Sequence, residues 1–229
     1  MTTPQTIAPD PFAALTPPMR WLLMRCAPDE PALAFIQPTA TLGTLYEAWL
    51  KAELHGSAIR LIASVLPARE SIWWAWVSAR HATQIEGGAP ATAQVHTALA
   101  AIEQWVVRPD DEARRRAWKA GEAAGLDTPT GMVAAAVFLS GTTITEPNSP
   151  SVPPPPGAAM PLVAGAIMLA GVKNTKPEMV PVTLSAFAAQ GLEIVKRLGG
   201  WDAALTLAHD THARMQDEYT RATTPQPAR

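Results

Sequence analysis

Residues 67–82 run Pro67-Ala68-Arg69-Glu70-Ser71-Ile72-Trp73-Trp74-Ala75-Trp76-Val77-Ser78-Ala79-Arg80-His81-Ala82, and no other stretch so restricts what the chain can become. Three of the eight tryptophans fall within four positions. Pro67 suits a helix N-terminus, where its missing N–H costs nothing, and Glu70 then meets the positive end of the helix dipole. On such a helix Trp73 and Trp76 share a face, and Trp74 stands about 100° from Trp73. Ile72, Ala75, Val77 and Ala79 fill the other sides. A helix apolar nearly all round is a buried one. Its polar residues, Arg69-Glu70 and Arg80-His81, read as its two ends. The expectation is a helical domain organised around this segment, with Trp73 and Trp76 as its core. Presentation of the indoles to a partner is the alternative, because tryptophan is also typical of interface anchors.

The rest of the chain is punctuated for helices. Alanine supplies 43 residues and proline 23, a combination that favours many short helices entered and separated by proline. Thr16-Pro17-Pro18 is a helix entry, and residues 31–36 can add a turn. Leu42, Leu45, Tyr46, Trp49 and Leu50 repeat at helical spacing, with Gly56 placed to end that helix in the left-handed region. Ile59, Ile62, Val65 and Leu66 form the next stripe, and Val95, Ala98, Leu99, Ile102, Trp105 and Val106 another. Asp110, Asp111 and Glu112 precede Arg114, Arg115 and Arg116 by one turn, so each acid can pair with an arginine. Gly125 followed by Asp127-Thr128-Pro129 predicts a tight turn between two antiparallel helices. Three further helices are expected near 159–171, 179–198 and 200–220. The segment 146–157, rich in proline, cannot be helix or central strand and is expected as an extended strap across the surface. No period-two pattern persists anywhere. The chain is therefore expected to be all-α: about eight to ten short helices around a buried Trp-rich helix, in one domain over 19–220, after an extended arm (1–18) and before a disordered tail (221–229).

Charge and cysteine content exclude several classes. A net charge of −2 gives no reason to expect a nucleic acid as partner. The arginine triplet does not change that, because the acids one turn upstream neutralise it and make a solvated, salt-bridged face. The single cysteine, Cys26, allows no internal disulfide and no cysteine-rich zinc site, and its apolar surroundings suit a packed thiol. The start Met1-Thr2-Thr3-Pro4 has neither basic nor apolar region, so no signal peptide is expected. The longest apolar run, Gly157 to Val172, is broken by proline and glycine and is too short to span a bilayer. The expected location is cytoplasmic, with no membrane span.

Candidate chemistry is sparse. His209 and His212 stand three apart on the last predicted helix, a spacing that can share a metal, yet no third ligand is evident and His212 falls on the apolar stripe. His81 and Glu86 are an acid–base pair by type, but a separation of five aligns them poorly on a helix. No phosphate loop, dinucleotide fingerprint or serine elbow is present. The expectation is no catalytic residue, no metal and no cofactor. The expected contact residues are instead Trp105 and Trp118, on the exposed fringe, with the strap residues Val152, Pro153, Pro154, Pro155 and Pro156 beside them.

A set of motifs carries a resemblance. Arg69-Glu70-Ser71-Ile72-Trp73-Trp74, Glu103-Gln104-Trp105-Val106, Arg116-Ala117-Trp118 through Glu122, Gly125-Leu126-Asp127-Thr128-Pro129, Ser140-Gly141 and Val152 to Gly157 occur in this order. Over about residues 40–200 the chain resembles an uncharacterised bacterial domain family, whose members look like accessory proteins encoded beside type VI secretion genes. The resemblance implies a neighbourhood of spike, tip and cargo-adaptor proteins and no catalytic residues. The expected function is a non-catalytic adaptor or chaperone that binds a secretion spike, tip or effector protein. An immunity protein neutralising a secreted toxin is the first alternative, and an enzyme with a cryptic site the second.

Overall fold

The computed structural model describes residues 10–85 and 87–224, and the regular structure among them is helical throughout. Eleven α-helices follow one another: α1 (Pro17–Cys26), α2 (Glu30–Leu33), α3 (Leu42–Lys51), α4 (His55–Val65), α5 (Ala68–Ala82), α6 (Ala93–Val107), α7 (Asp111–Ala124), α8 (Pro129–Leu139), α9 (Ala159–Val172), α10 (Val180–Arg197) and α11 (Trp201–Thr223). A single 3-10 turn, Pro177–Met179, precedes α10. The fold class is all-α, as the periodicity predicts. The exposed ends of these helices are closed locally. Thr41, Thr92, Asp110 and Thr128 each accept a hydrogen bond from the backbone N–H three residues on, satisfying a donor the helix itself leaves free. Proline occupies the first turn of α1, α2, α8 and α10.

Two boundaries differ from the sequence expectation. Helix α3 ends at Lys51, and the left-handed residue is Glu53 (φ 59°), not Gly56. The Leu54 N–H reaches back to the carbonyl of Trp49 and closes the turn early. Gly56 lies inside α4, where its missing side chain leaves room for Met168 and Arg60. At the other end α11 continues to Thr223, three residues into the expected tail, and 225–229 lie outside the described residues. Of the expected arm, residues 1–9 are also outside. Phe12 and Leu15 pack on the core, and Asp10 pairs with Arg20 at 2.7 Å.

Helix α5 is the hub, packed against α6, α8, α9 and α10. Its central indole is Trp74, fully buried. Buried indoles need a partner for the ring N–H, and three here find a backbone carbonyl: Trp74 donates to Phe187 (2.9 Å), Trp76 to Leu99 (2.9 Å) and Trp49 to Ala32 (3.1 Å). The Trp74 contact depends on Gly191, one turn after Phe187 on α10. A Cβ at 191 would lie 2.7 Å from the Trp74 ring and 2.9 Å from Ile62, so only glycine lets the two helices approach this closely.

Helices α7 and α8 form the predicted antiparallel hairpin. Gly125 turns the chain at φ 89°, and Gly121 lies so close to Ala134 that a side chain there would overlap it. Helix α9, the apolar run, is covered by α4, α5, α8 and α10. No helix among the described residues is long and apolar enough to cross a membrane.

Candidate functional site

The wet face of α5 is the first place where structure and sequence expectation part. Trp73 is not core: it is 42% exposed, directly beside the fully buried Trp74. The charges explain it. Arg69 and Glu70 precede Trp73 by four and three residues, and Arg80 and His81 follow it by seven and eight. At helical spacing all four share its face. They are a polar stripe down one side of α5, not polar ends, and Trp73 stands in its middle. Trp76 sits on the border of that stripe, 8% exposed, with the Arg80 guanidinium 5.3 Å over its ring. Arg69, one turn before Trp73, donates to the carbonyls of Val106 (2.7 Å) and Val107 (3.3 Å) at the end of α6. That bond ties the α6 terminus, where Val107 is strongly exposed, to the same side of the molecule. The face thus carries Trp73, the half-buried Val77 and the Val107 tip, edged by charge.

The tryptophans expected at the fringe are less available. Trp105 is buried, because it completes the apolar stripe by which α6 packs into the core. Trp118 is half-buried and stacks on Phe138 with ring centroids 4.9 Å apart. Arg114 also meets this ring, with its guanidinium 4.8 Å over the Phe138 centroid. Arg114 is itself a correction. It is 3% exposed, bonding Asp111 and the Phe138 carbonyl, and is no part of a solvated face. Asp111 holds both Arg114 and Arg115, Glu112 holds Arg116, and Asp110 caps α7 instead of pairing one turn on.

The strap expected as extended over 146–157 is a turn at 146–149, where the Ser149 N–H donates to the Glu146 carbonyl, and runs extended against the protein only from 150 to 155. Arg115 donates to Thr145 (2.8 Å), while Thr143 and Ile144 bond the backbone of Val152, closing a loop. Beyond it Pro154 is buried and Pro153 and Pro156 half-buried, whereas Val152 (41%) and Pro155 remain exposed. Gly157 (φ 80°) ends the strap against Arg25 of α1, whose guanidinium occupies the space a side chain would take.

A cavity of about 260 Å³ lies where that end of the strap meets the α1–α11 seam. Trp21 and Arg25 line it from α1, and Leu207, Thr211, His212 and Met215 from α11. Met160 and Ser64 close it from below. The Trp21 ring stands between Arg25 (5.2 Å), His209 (5.3 Å) and His212 (5.2 Å). Burial, the Arg25 charge and His209 hold His212 below the usual histidine range, in that order of size. The sequence singled out His209 and His212 only as a possible metal pair, because the cavity joins residues nearly the whole chain apart.

The remaining candidates are quiet. His81 packs edge-on against Phe187, and its suggested partner Glu86 lies outside the described residues. His55 bonds Ser185 at 2.8 Å, tying α4 to α10. Cys26 is fully buried, and burial pushes its thiol up to about 12, far from the thiolate a nucleophile needs.

The family described as a family of unknown function (DUF6931) matches residues 45–195, more than half of the chain, and the chain belongs to it. No curated protein and no solved structure matches the chain.

Proposed function

We propose that this family member is a non-catalytic accessory protein that binds another protein through the wet face of α5. We further propose that its setting is bacterial type VI secretion, where it serves as an adaptor or chaperone for an effector, spike or tip component. The observation that carries the reading is Trp73. Its neighbours Ile72, Trp74 and Trp76 are buried, yet Trp73 itself is 42% exposed. A large aromatic side chain presented from a helix anchored in the core is the profile of an interface anchor. The stripe of Arg69, Glu70, Arg80 and His81 supplies a polar rim of both signs. The exposed Val152 and Pro155 of the strap are a second, smaller contact element. The motif order from Arg69 to Gly157 supports the secretion setting.

The test is capture of the co-encoded spike, tip and effector proteins by the purified chain. Trp73→Ala should weaken the complex by about 2 kcal/mol or more, roughly 30-fold, as loss of a central anchor does, with the melting temperature nearly unchanged. If the wild-type chain captures none of them, the reading fails. If Trp73→Ala binds as well as wild type, the contact moves to the strap, and Val152→Asp becomes the decisive variant.

A further inference from the structure

The cavity at the α1–α11 seam is unusual in what it leaves unpaired. Among the described residues no carboxylate lies within ion-pair distance of Arg25, and its guanidinium makes no hydrogen bond to them, although the side chain is half-buried. Its Nε is fully buried and has no partner. On the facing helix the Nδ1 of His212 is in the same state. Most buried polar atoms find a partner. The half-buried Arg25 guanidinium at the cavity wall, with no counter-charge among the described residues, leaves a place there for an anion.

Four helix ends also reach this cavity. The N-termini of α5 (Pro67, Ala68) and α9 (Ala159, Met160) lack a side-chain cap, although the Met160 N–H already donates to the Gly157 carbonyl (3.1 Å). The C-termini of α4 and α8 (Leu66, Leu139) bring carbonyls to the same space. The dipoles of these ends oppose one another in pairs, so the net positive charge facing the cavity is that of Arg25. One cation suits one negative charge, and the fork of a guanidinium matches the two oxygens of a carboxylate. Met160, Leu207 and Met215 give the cavity an apolar wall, beside the hydroxyls of Ser64, Ser71, Ser140 and Thr211. A cavity of about 150 Å³ holds a benzene-sized molecule, so this larger one takes an apolar body of roughly six to ten carbons.

We propose that the cavity binds a monocarboxylate with a short apolar body. Its carboxylate lies between Arg25 and His212 beside the Trp21 ring, and its body rests on Met160, Leu207 and Met215. This chemistry comes from two sources, a free organic acid or the last residue of a polypeptide, and the experiment separates them. Calorimetry with the purified full chain compares phenylacetate and octanoate with their uncharged amides. A second arm compares a short peptide ending in phenylalanine with the same peptide amidated at its C-terminus. The carboxylates should bind at least about tenfold more tightly than the amides. Arg25→Gln should abolish that preference, Arg25→Lys should keep part of it, and Trp73→Ala should leave it untouched. Binding of the peptide but not the small acids assigns the polypeptide source, and the converse assigns the free acid. Equal binding of acids and amides overturns the proposal, as does no binding of any carboxylate up to about 10 mM. If Arg25→Gln fails to fold, the readout passes to the His212 ring resonances of the wild-type chain. Titrating carboxylate, but not amide, should shift them and raise their apparent pKa, and unmoved resonances sink the idea.

Discussion

Helices α10 and α11 follow each other in the chain, carry apolar stripes of the same spacing, and dock quite differently. Helix α10 buries Phe187, Ala188, Gly191, Ile194 and Val195 against α4, α5 and α9. Helix α11 is the longer of the two, yet among its residues only Ala204 is buried. Its stripe of Trp201, Leu205, Ala208, His212, Met215 and Tyr219 is half-covered. The difference lies in what stands at the crossing point. Gly191 lets α10 close onto the Trp74 ring and satisfy its N–H. At the corresponding depth α11 meets Trp21 and Arg25, bulky side chains that hold it off and leave a cavity. An apolar stripe fixes which face turns inward, and the size of the contact residues fixes how far inward it goes.

The contrast can be broken most severely at its tight side. Trp74→Ala should cost about 3–5 kcal/mol in a denaturant titration, because it removes a fully buried indole and leaves a cavity behind. Asp111→Asn comes next. It removes the charge that holds the buried Arg114 and should cost about 1 kcal/mol, because the Asp111 side chain is 59% exposed and solvent screens the pair. Both arginines hold the Asp111 carboxyl below the usual carboxylate range by direct hydrogen bonds. That part of the stability is therefore present above the ordinary carboxylate pKa and is lost as pH falls through the lower, folded value, whereas the Asn variant should titrate flat there. Gly191→Ala should also destabilise, by about 1 kcal/mol or more, although alanine is the better helix former. A neutral or stabilising result would mean the α5–α10 contact is looser than drawn.

The loose side predicts a smaller effect of a different kind. His212 has its folded pKa below the ordinary 6.5. The unfolded chain then binds the extra proton, so stability from this group is full above about pH 6.5 and declines as pH falls through the folded value. His212→Leu should flatten the thermal melting profile between neutral and mildly acidic pH without lowering the melting temperature at neutrality. A profile unchanged by the substitution would show that α11 does not seal this histidine.

Elements and caps were legible because they are local. Thr128-Pro129 and Gly125 are read within four residues, and the stripes of α6 and α10 within one helix. The fate of Trp73 was legible too, but only by counting the charges at four and three before and seven and eight after it. Trp105 and Arg114 were misplaced outward because their burial depends on a neighbouring helix: α7 and α8 enclose Arg114 around Phe138, and no spacing within α7 reports that. The cavity was beyond reach for the same reason, since its two orphaned nitrogens come from the first and last described helices.

That last arrangement has a consequence for biogenesis. At about 5–20 residues per second, roughly ten to forty seconds of translation separate Arg25 from His212. During that interval α1 has no α11 to cover it, while the α4–α10 body can already assemble behind it. A nascent chain therefore exposes Trp21 and Arg25 as an open shelf, and only the arrival of α11 gives that shelf its second wall.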